Sequence, residues 1–129
     1  MKVENTIPEN IMKPIGHYSH VSKVGPFITI GGTAGVNPET GELVGLDVGS
    51  QTKQILDAFE IMLLQAESGF SHVMHINIFL ADIKSFKQMD LVYGERLGIY
   101  RPARTTIGGV DLPKSDALIT MNLTAITKC

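Results

Sequence analysis

A chain of 129 residues, 43% hydrophobic and 19% charged, has the length of one domain (1–129) and the composition of a globular protein with apolar surface to spare for self-association. Eleven basic residues scattered among thirteen acidic ones give a net charge of −2, which offers no footprint for a phosphate backbone and argues against nucleic acid as a partner. The one cysteine, Cys129, closes no intrachain disulfide, the first thirteen residues hold no apolar signal segment, and no run approaches a membrane span, so a cytoplasmic protein with no membrane partner is expected.

In chain order the pattern predicts β-β-α-β-α-β-β. Tyr18 to Val24 and Phe27 to Gly31 are short strand-like runs joined across Gly25-Pro26, a tight hairpin turn. Gly31-Gly32-Thr33-Ala34-Gly35 follows, then Asn37-Pro38-Glu39-Thr40-Gly41, a loop with strong turn chemistry. Between Asp47 and Gly69 the residues Ile55, Leu56, Phe59, Met62, Leu63 and Ala66 recur every three or four positions, so one helical stripe faces a core and Gly69 ends it. Val73 to Leu80 reads as a strand whose pattern leaves its buried side open. Ser85-Phe86-Lys87-Gln88 has capping-box spacing and starts a second helix running through Met89, Val92, Tyr93 and Leu97 to Gly98. A strand through Arg104 and Thr106 and the apolar run Ala117 to Ile126 close the chain.

Two helices then cover one face of a sheet of four to six strands. Ile28, Ile30, Ile76, Ile78, Met121 and Leu123 are spread through those strands, and a partner subunit is the expected cover for the second face.

Arg104 is the leading functional candidate. Alternation places it on the same sheet face as Thr106, and its planar fork of N–H donors matches a carboxylate as a lysine does not. The plainer role is a strand-end arginine that faces solvent or pairs with a protein carboxylate. His17/His20 and His72/His75 have an offset of three, which diverges on a strand, so no metal site is expected. The glycine run lacks the Lys-Ser/Thr ending of a phosphate loop; Gly32 fits close backbone approach to a small ligand or a structural turn. Tyr18 offers a hydroxyl to a ligand or sits at the sheet rim. No nucleophile elbow or positioned cysteine is present.

Several segments resemble, in order and spacing, the reactive intermediate deaminase (Rid, formerly YjgF) family, also known as L-PSP endoribonucleases. They are Gly16-His17-Tyr18-Ser19, Gly31-Gly32-Thr33, Asn37 to Gly45, Gln51 to Leu56, Ile78 to Asp82, Val92-Tyr93, Pro102-Ala103-Arg104-Thr105-Thr106 and Leu112-Pro113-Lys114. The resemblance implies an α+β fold of the chorismate-mutase-like type, a homotrimer around a central barrel, and ligand clefts between subunits. It also implies hydrolysis of 2-imino and 2-enamino carboxylates to 2-oxo acids and ammonia with no cofactor. On this reading Arg104 grips the substrate carboxylate, Tyr18, Gly32 and Phe79 line the cleft, and the Thr106 carbonyl helps to hold the attacking water.

One departure cuts against turnover. Where deaminating members carry a glutamate in the last strand, this chain has Thr120 or, two residues on, Asn122, and neither accepts a proton near neutral pH. Three functions stay open: a hydrolase in which Thr120 or Asn122 orients water while a substrate group, His17 or His20 takes the proton; a non-catalytic trimer that binds or senses small carboxylates; and the endoribonuclease or translation inhibitor of the older names, which the missing basic surface disfavours.

Overall fold

Apolar side chains repeating every three or four residues are buried together only on a helix, and the chain forms one, α1 (Val48–Gln65), with Ile55, Leu56, Phe59, Met62 and Leu63 fully buried. The computed structural model describes residues 1–129. The extended Asp47 starts α1: its carboxylate accepts the Ser50 N–H and the Ser50 hydroxyl, each at 2.8 Å. These bonds hold the Asp47 carboxyl below its ordinary range. The second helix, α2 (Phe86–Leu97), ends at Gly98, whose φ of 62° suits glycine. Its expected capping box does not form. Ser85 is itself helical and makes no cap bond, whereas Asp82 accepts the Lys84 N–H at 2.9 Å and opens a short turn, Ile83–Ser85, that runs directly into α2.

The strands are β1 (Glu4–Thr6), β2 (Val21–Val24), β3 (Phe27–Ala34), β4 (Val73–Leu80), β5 (Ala103–Ile107) and β6 (Ile119–Ile126), in one sheet of order β1-β2-β3-β6-β4-β5. All pairs are antiparallel except β4 with β5. Strand β1 escapes the sequence pattern because Glu4, Asn5 and Thr6 are all exposed; it exists by pairing with β2, where Ser22 donates to the Asn5 side chain at 2.7 Å. Strand β2 is shorter than expected, since Tyr18 to His20 belong to the preceding loop. Gly25 turns the hairpin with φ 55°.

The side-chain directions correct which residues a second cover would serve. Ile28, Ile30, Ile76, Ile78, Met121 and Leu123 all point to the helix-covered face and are at most 2% exposed. The other face carries Thr29, Asn77, Phe79, Asn122 and Thr124, which are partly or fully exposed. The two helices therefore cover those six residues, and the open face mixes these polar groups with the exposed Phe27 and Ile107 and the half-buried Phe79.

Two contacts set the loops around that face. A Cβ on Gly35 would lie 2.6 Å from the Gln51 Cα, so the end of β3 touches the first turn of α1 backbone to backbone. Gln51, fully buried, donates to the Gly45 carbonyl at 2.9 Å and accepts the Leu118 N–H at 2.8 Å, tying the loops before α1 and before β6 to the helix. The helices are clamped by Arg96 of α2, which bonds Asp57 and Glu60 of α1.

Candidate functional site

The predicted site residues fall into two groups. The first surrounds a hollow of about 240 Å³ lined by Met12, Ile15, Tyr18, Gly32, Ala34, Pro113, Lys114 and Thr120. Its floor is the junction of β3 and β6. Between Ile30 and Thr33 three steps along β3 match two along β6, a bulge that places Gly31-Gly32 opposite Asn122. The Thr33 hydroxyl donates to the Gly31 carbonyl at 3.0 Å and holds the bulge. Glycine is not required at position 32 by the chain itself: its φ is not positive, and a Cβ there would meet nothing within 4 Å.

Thr120 is flanked across the sheet by Ala34 and Phe79, so Phe79 stands beside the hollow on the same face. Asn122 lies one pair further along that face and accepts from the Asn77 side chain at 2.9 Å, in register with it. Of the two last-strand candidates, Thr120 is therefore the one that lines the hollow.

Tyr18 forms the outer wall. It is 39% exposed, and its oxygen accepts the Ile15 N–H at 3.3 Å, which leaves the hydroxyl proton free to donate. Behind it His20 is buried, edge-on to the Tyr18 ring with centroids 5.6 Å apart. Its Nε2 donates to the Met12 carbonyl at 2.7 Å, fastening the loop that carries Met12, Ile15 and Tyr18. His20 is thus a structural clasp outside the hollow, and His17 is exposed. His72 bonds Ser71 and His75 bonds Thr105, and no three His, Cys, Asp or Glu side chains converge as metal ligands would.

The second group lies on the opposite face. Arg104 and Thr106 pair with Ile76 and Ile78 and share their helix-facing direction, as the alternation predicted. β5 is the free edge of the sheet. The Arg104 Nη1 donates to Asp90 of α2 at 2.6 Å, and the guanidinium lies over the Tyr93 ring, 4.9 Å from its centroid, and the Phe86 ring at 5.4 Å. Arg104, Asp90, Tyr93, Tyr100 and Arg101 border an open cleft of about 430 Å³, so the pair with Asp90 leaves room for a guest. Burial pushes the Tyr93 phenol above its ordinary range; the Arg104 charge opposes this and Asp90 adds to it. The Tyr93 hydroxyl has no hydrogen-bond partner in the chain.

Arg104 and Thr120 cannot hold the same small molecule within one chain. Their strands are two apart in the sheet, about 10 Å at ordinary strand spacing, and the side chains point to opposite faces. Asp90 was missed from sequence, although Phe86, Asp90 and Tyr93 at offsets of four and three mark one face of α2 with an acid set among aromatics. For Gln51, nothing in the local sequence announces that a buried glutamine will bridge two loops.

The match to known proteins spans almost the whole chain. The endoribonuclease L-PSP family model covers residues 8–127. A RutC family protein of Pyrococcus abyssi is 38% identical over 125 residues, 97% of this chain and 98% of that protein. The chloroplastic Reactive Intermediate Deaminase A of Arabidopsis thaliana is 31% identical over 113 residues, 88% of this chain and 60% of that one. The crystal structure of YyfA, a Rid family protein from Yersinia pestis, superposes with a TM-score of 0.90 at 28% identity, over 98% of this chain and all of that one. With its six-stranded sheet backed by two helices, the chain belongs to the endoribonuclease L-PSP family, the group that includes the RutC, YjgF and reactive intermediate deaminase proteins.

Proposed function

We propose that the protein is a cofactor-free hydrolytic deaminase of small 2-imino or 2-enamino carboxylates, working as a homotrimer in which Arg104 of one copy completes the hollow of the next. The observation that carries this reading is the division of the site: Tyr18, Gly32 and Thr120 border a hollow, while the guanidinium sits on a free sheet edge, on the other face and beyond reach in the same chain. A short edge strand with unpaired backbone is a natural seam for a second copy. The relative named as a reactive intermediate deaminase supports the chemistry.

In this mechanism the Arg104 fork binds the substrate carboxylate and fixes the imine carbon over Gly32, whose missing side chain allows close approach. The Tyr18 hydroxyl donates to the substrate. Thr120 orients a water; the water oxygen adds to the imine carbon as one of its protons passes to the imine nitrogen, the second proton follows from the resulting hydroxyl to that nitrogen as the C–N bond breaks, and 2-oxo acid and ammonia leave. Thr120 is too weak a base to take the proton near neutral pH, so the substrate nitrogen, which must leave as ammonia, takes it. A second reading, a trimer that binds carboxylates without turnover, is favoured by one observation: no carboxylate lines the hollow.

The test is to supply 2-iminobutanoate, generated in situ by an amino-acid oxidase, and follow 2-oxobutanoate formation. Acceleration lost in Arg104→Ala is the expected result. Tight binding of 2-oxobutanoate with no acceleration selects the binding reading, and neither binding nor acceleration defeats both. Light scattering at the mass of a monomer would remove the shared site.

A further inference from the structure

Lys114 is the only charged side chain lining the Tyr18, Gly32 and Thr120 hollow. It is half-buried, and no carboxylate of the chain lies within 4 Å of its ammonium group; its one protein bond is from Nζ to the Gly41 carbonyl at 3.2 Å. That bond fixes the ammonium between the loop before β6 and the Asn37 to Gly45 loop, with two N–H donors to spare. The rest of the lining is neutral, and much of it is apolar: Met12, Ile15, Ala34 and Pro113. The ammonium is solvent-accessible where it bonds Gly41, at the rim of this lining, and with no carboxylate to pair with it can turn its spare N–H groups to an anion that enters the hollow.

Resting on the proposed deaminase reading, in which Arg104 of a second copy takes the carboxylate next to the imine, we infer that Lys114 binds a second, distal acidic group and that the preferred substrates are dianionic. These are 2-imino dicarboxylates of the kind formed from acidic amino acids. One guanidinium and one ammonium on two sides of a ligand match two negative charges. A monocarboxylate with an apolar tail would leave Lys114 facing hydrocarbon. Lys114 is a specificity-determining residue here and takes no part in bond making.

The experiment compares 2-iminoglutarate with 2-iminobutanoate, each generated in situ, in the wild type, Lys114→Met and Lys114→Arg, with titration of 2-oxoglutarate and 2-oxobutanoate as the binding readout. One charge-assisted hydrogen bond corresponds to a preference of about tenfold to a hundredfold for the dianion in kcat/KM or Kd. The expected result is that this preference collapses in Lys114→Met and returns in Lys114→Arg. A wild type with no preference for the dianion overturns the inference while leaving the deaminase reading intact. An equal loss for both substrates in Lys114→Met, with a lowered melting temperature, makes Lys114 a tie between loops and overturns it too. If the wild type neither binds nor hydrolyses any of the compounds, the deaminase reading itself has failed.

Discussion

Asp90 holds Arg104 through a single terminal nitrogen, with Oδ1 2.6 Å from Nη1, and the other guanidinium nitrogens have no partner in the chain. The pair is partly exposed, at 25% for Arg104 and 47% for Asp90, so its contribution to stability is small, about 0 to 1 kcal/mol. Asp90 and a bound organic acid draw on the same positive charge. Asp90→Asn is therefore expected to leave the melting temperature nearly unchanged and to tighten 2-oxobutanoate binding in titration calorimetry. Arg104→Lys, which keeps the charge and loses the fork, weakens binding by about tenfold or more. Weaker binding in Asp90→Asn would instead make Asp90 a positioning residue for the guanidinium.

Thr120 and Asn122 separate cleanly as sites for restoring a carboxylate. Thr120 lines the hollow with Lys114 nearby to stabilise a negative charge, whereas Asn122 is tied to Asn77 one pair further along. Thr120→Glu is expected to raise kcat for 2-iminobutanoate, by as much as about 10²-fold if the carboxylate acts as a general base. Asn122→Glu breaks the bond with Asn77 and gives no gain. Equal rates in the two variants would show that a missing base does not limit turnover.

Acid sensitivity follows from two carboxyls. Burial pushes the Asp57 carboxyl up, but hydrogen bonds and charge from Arg96 and Lys53 outweigh it and hold the group below its ordinary range; Asp47 is lowered by its bonds from Ser50. A carboxyl depressed in the folded state stabilises the fold above its unfolded value, about 3.9, and that contribution is lost as pH falls through the folded value. Urea midpoints should hold from pH 7 to about 5 and fall steeply below 4. Arg96→Met should shallow that acid limb while lowering the midpoint at neutral pH.

Both helices, strands β4 and β6 and the shared face of Arg104 and Thr106 were legible because each rests on local periodicity. The stripe from Ile55 to Ala66 has one solution, and so does the alternation along β5. What stayed hidden depends on contacts distant in sequence. The side taken by Val73 to Leu80 follows from its neighbours, β6 and β5, and β1 follows from an edge that β2 offers. For the site, the residue types were readable, but their division between two faces was not, because strand order determines it. With β6 inserted between β3 and β4, Thr120 comes beside Ala34 and Phe79, while Arg104 is carried to the far edge.

Gly32 and Gly35, three residues apart, should respond oppositely to the same substitution. At Gly35 a methyl group would meet the Gln51 Cα at 2.6 Å and its carbonyl oxygen at 2.7 Å, backbone atoms that cannot swing aside. Gly35→Ala must push α1 away from β3 and disturb the bonds that Gln51 makes to the Gly45 carbonyl and the Leu118 N–H. A cost of about 1 to 3 kcal/mol in urea unfolding is expected. At Gly32 a methyl group would enter open space, so Gly32→Ala should shift stability by no more than about 0.5 kcal/mol. That methyl would occupy the hollow where the substrate approaches the backbone, so binding of 2-oxobutanoate should weaken even though the protein remains fully folded. A Gly32→Ala protein that binds as the wild type does would remove Gly32 from the site.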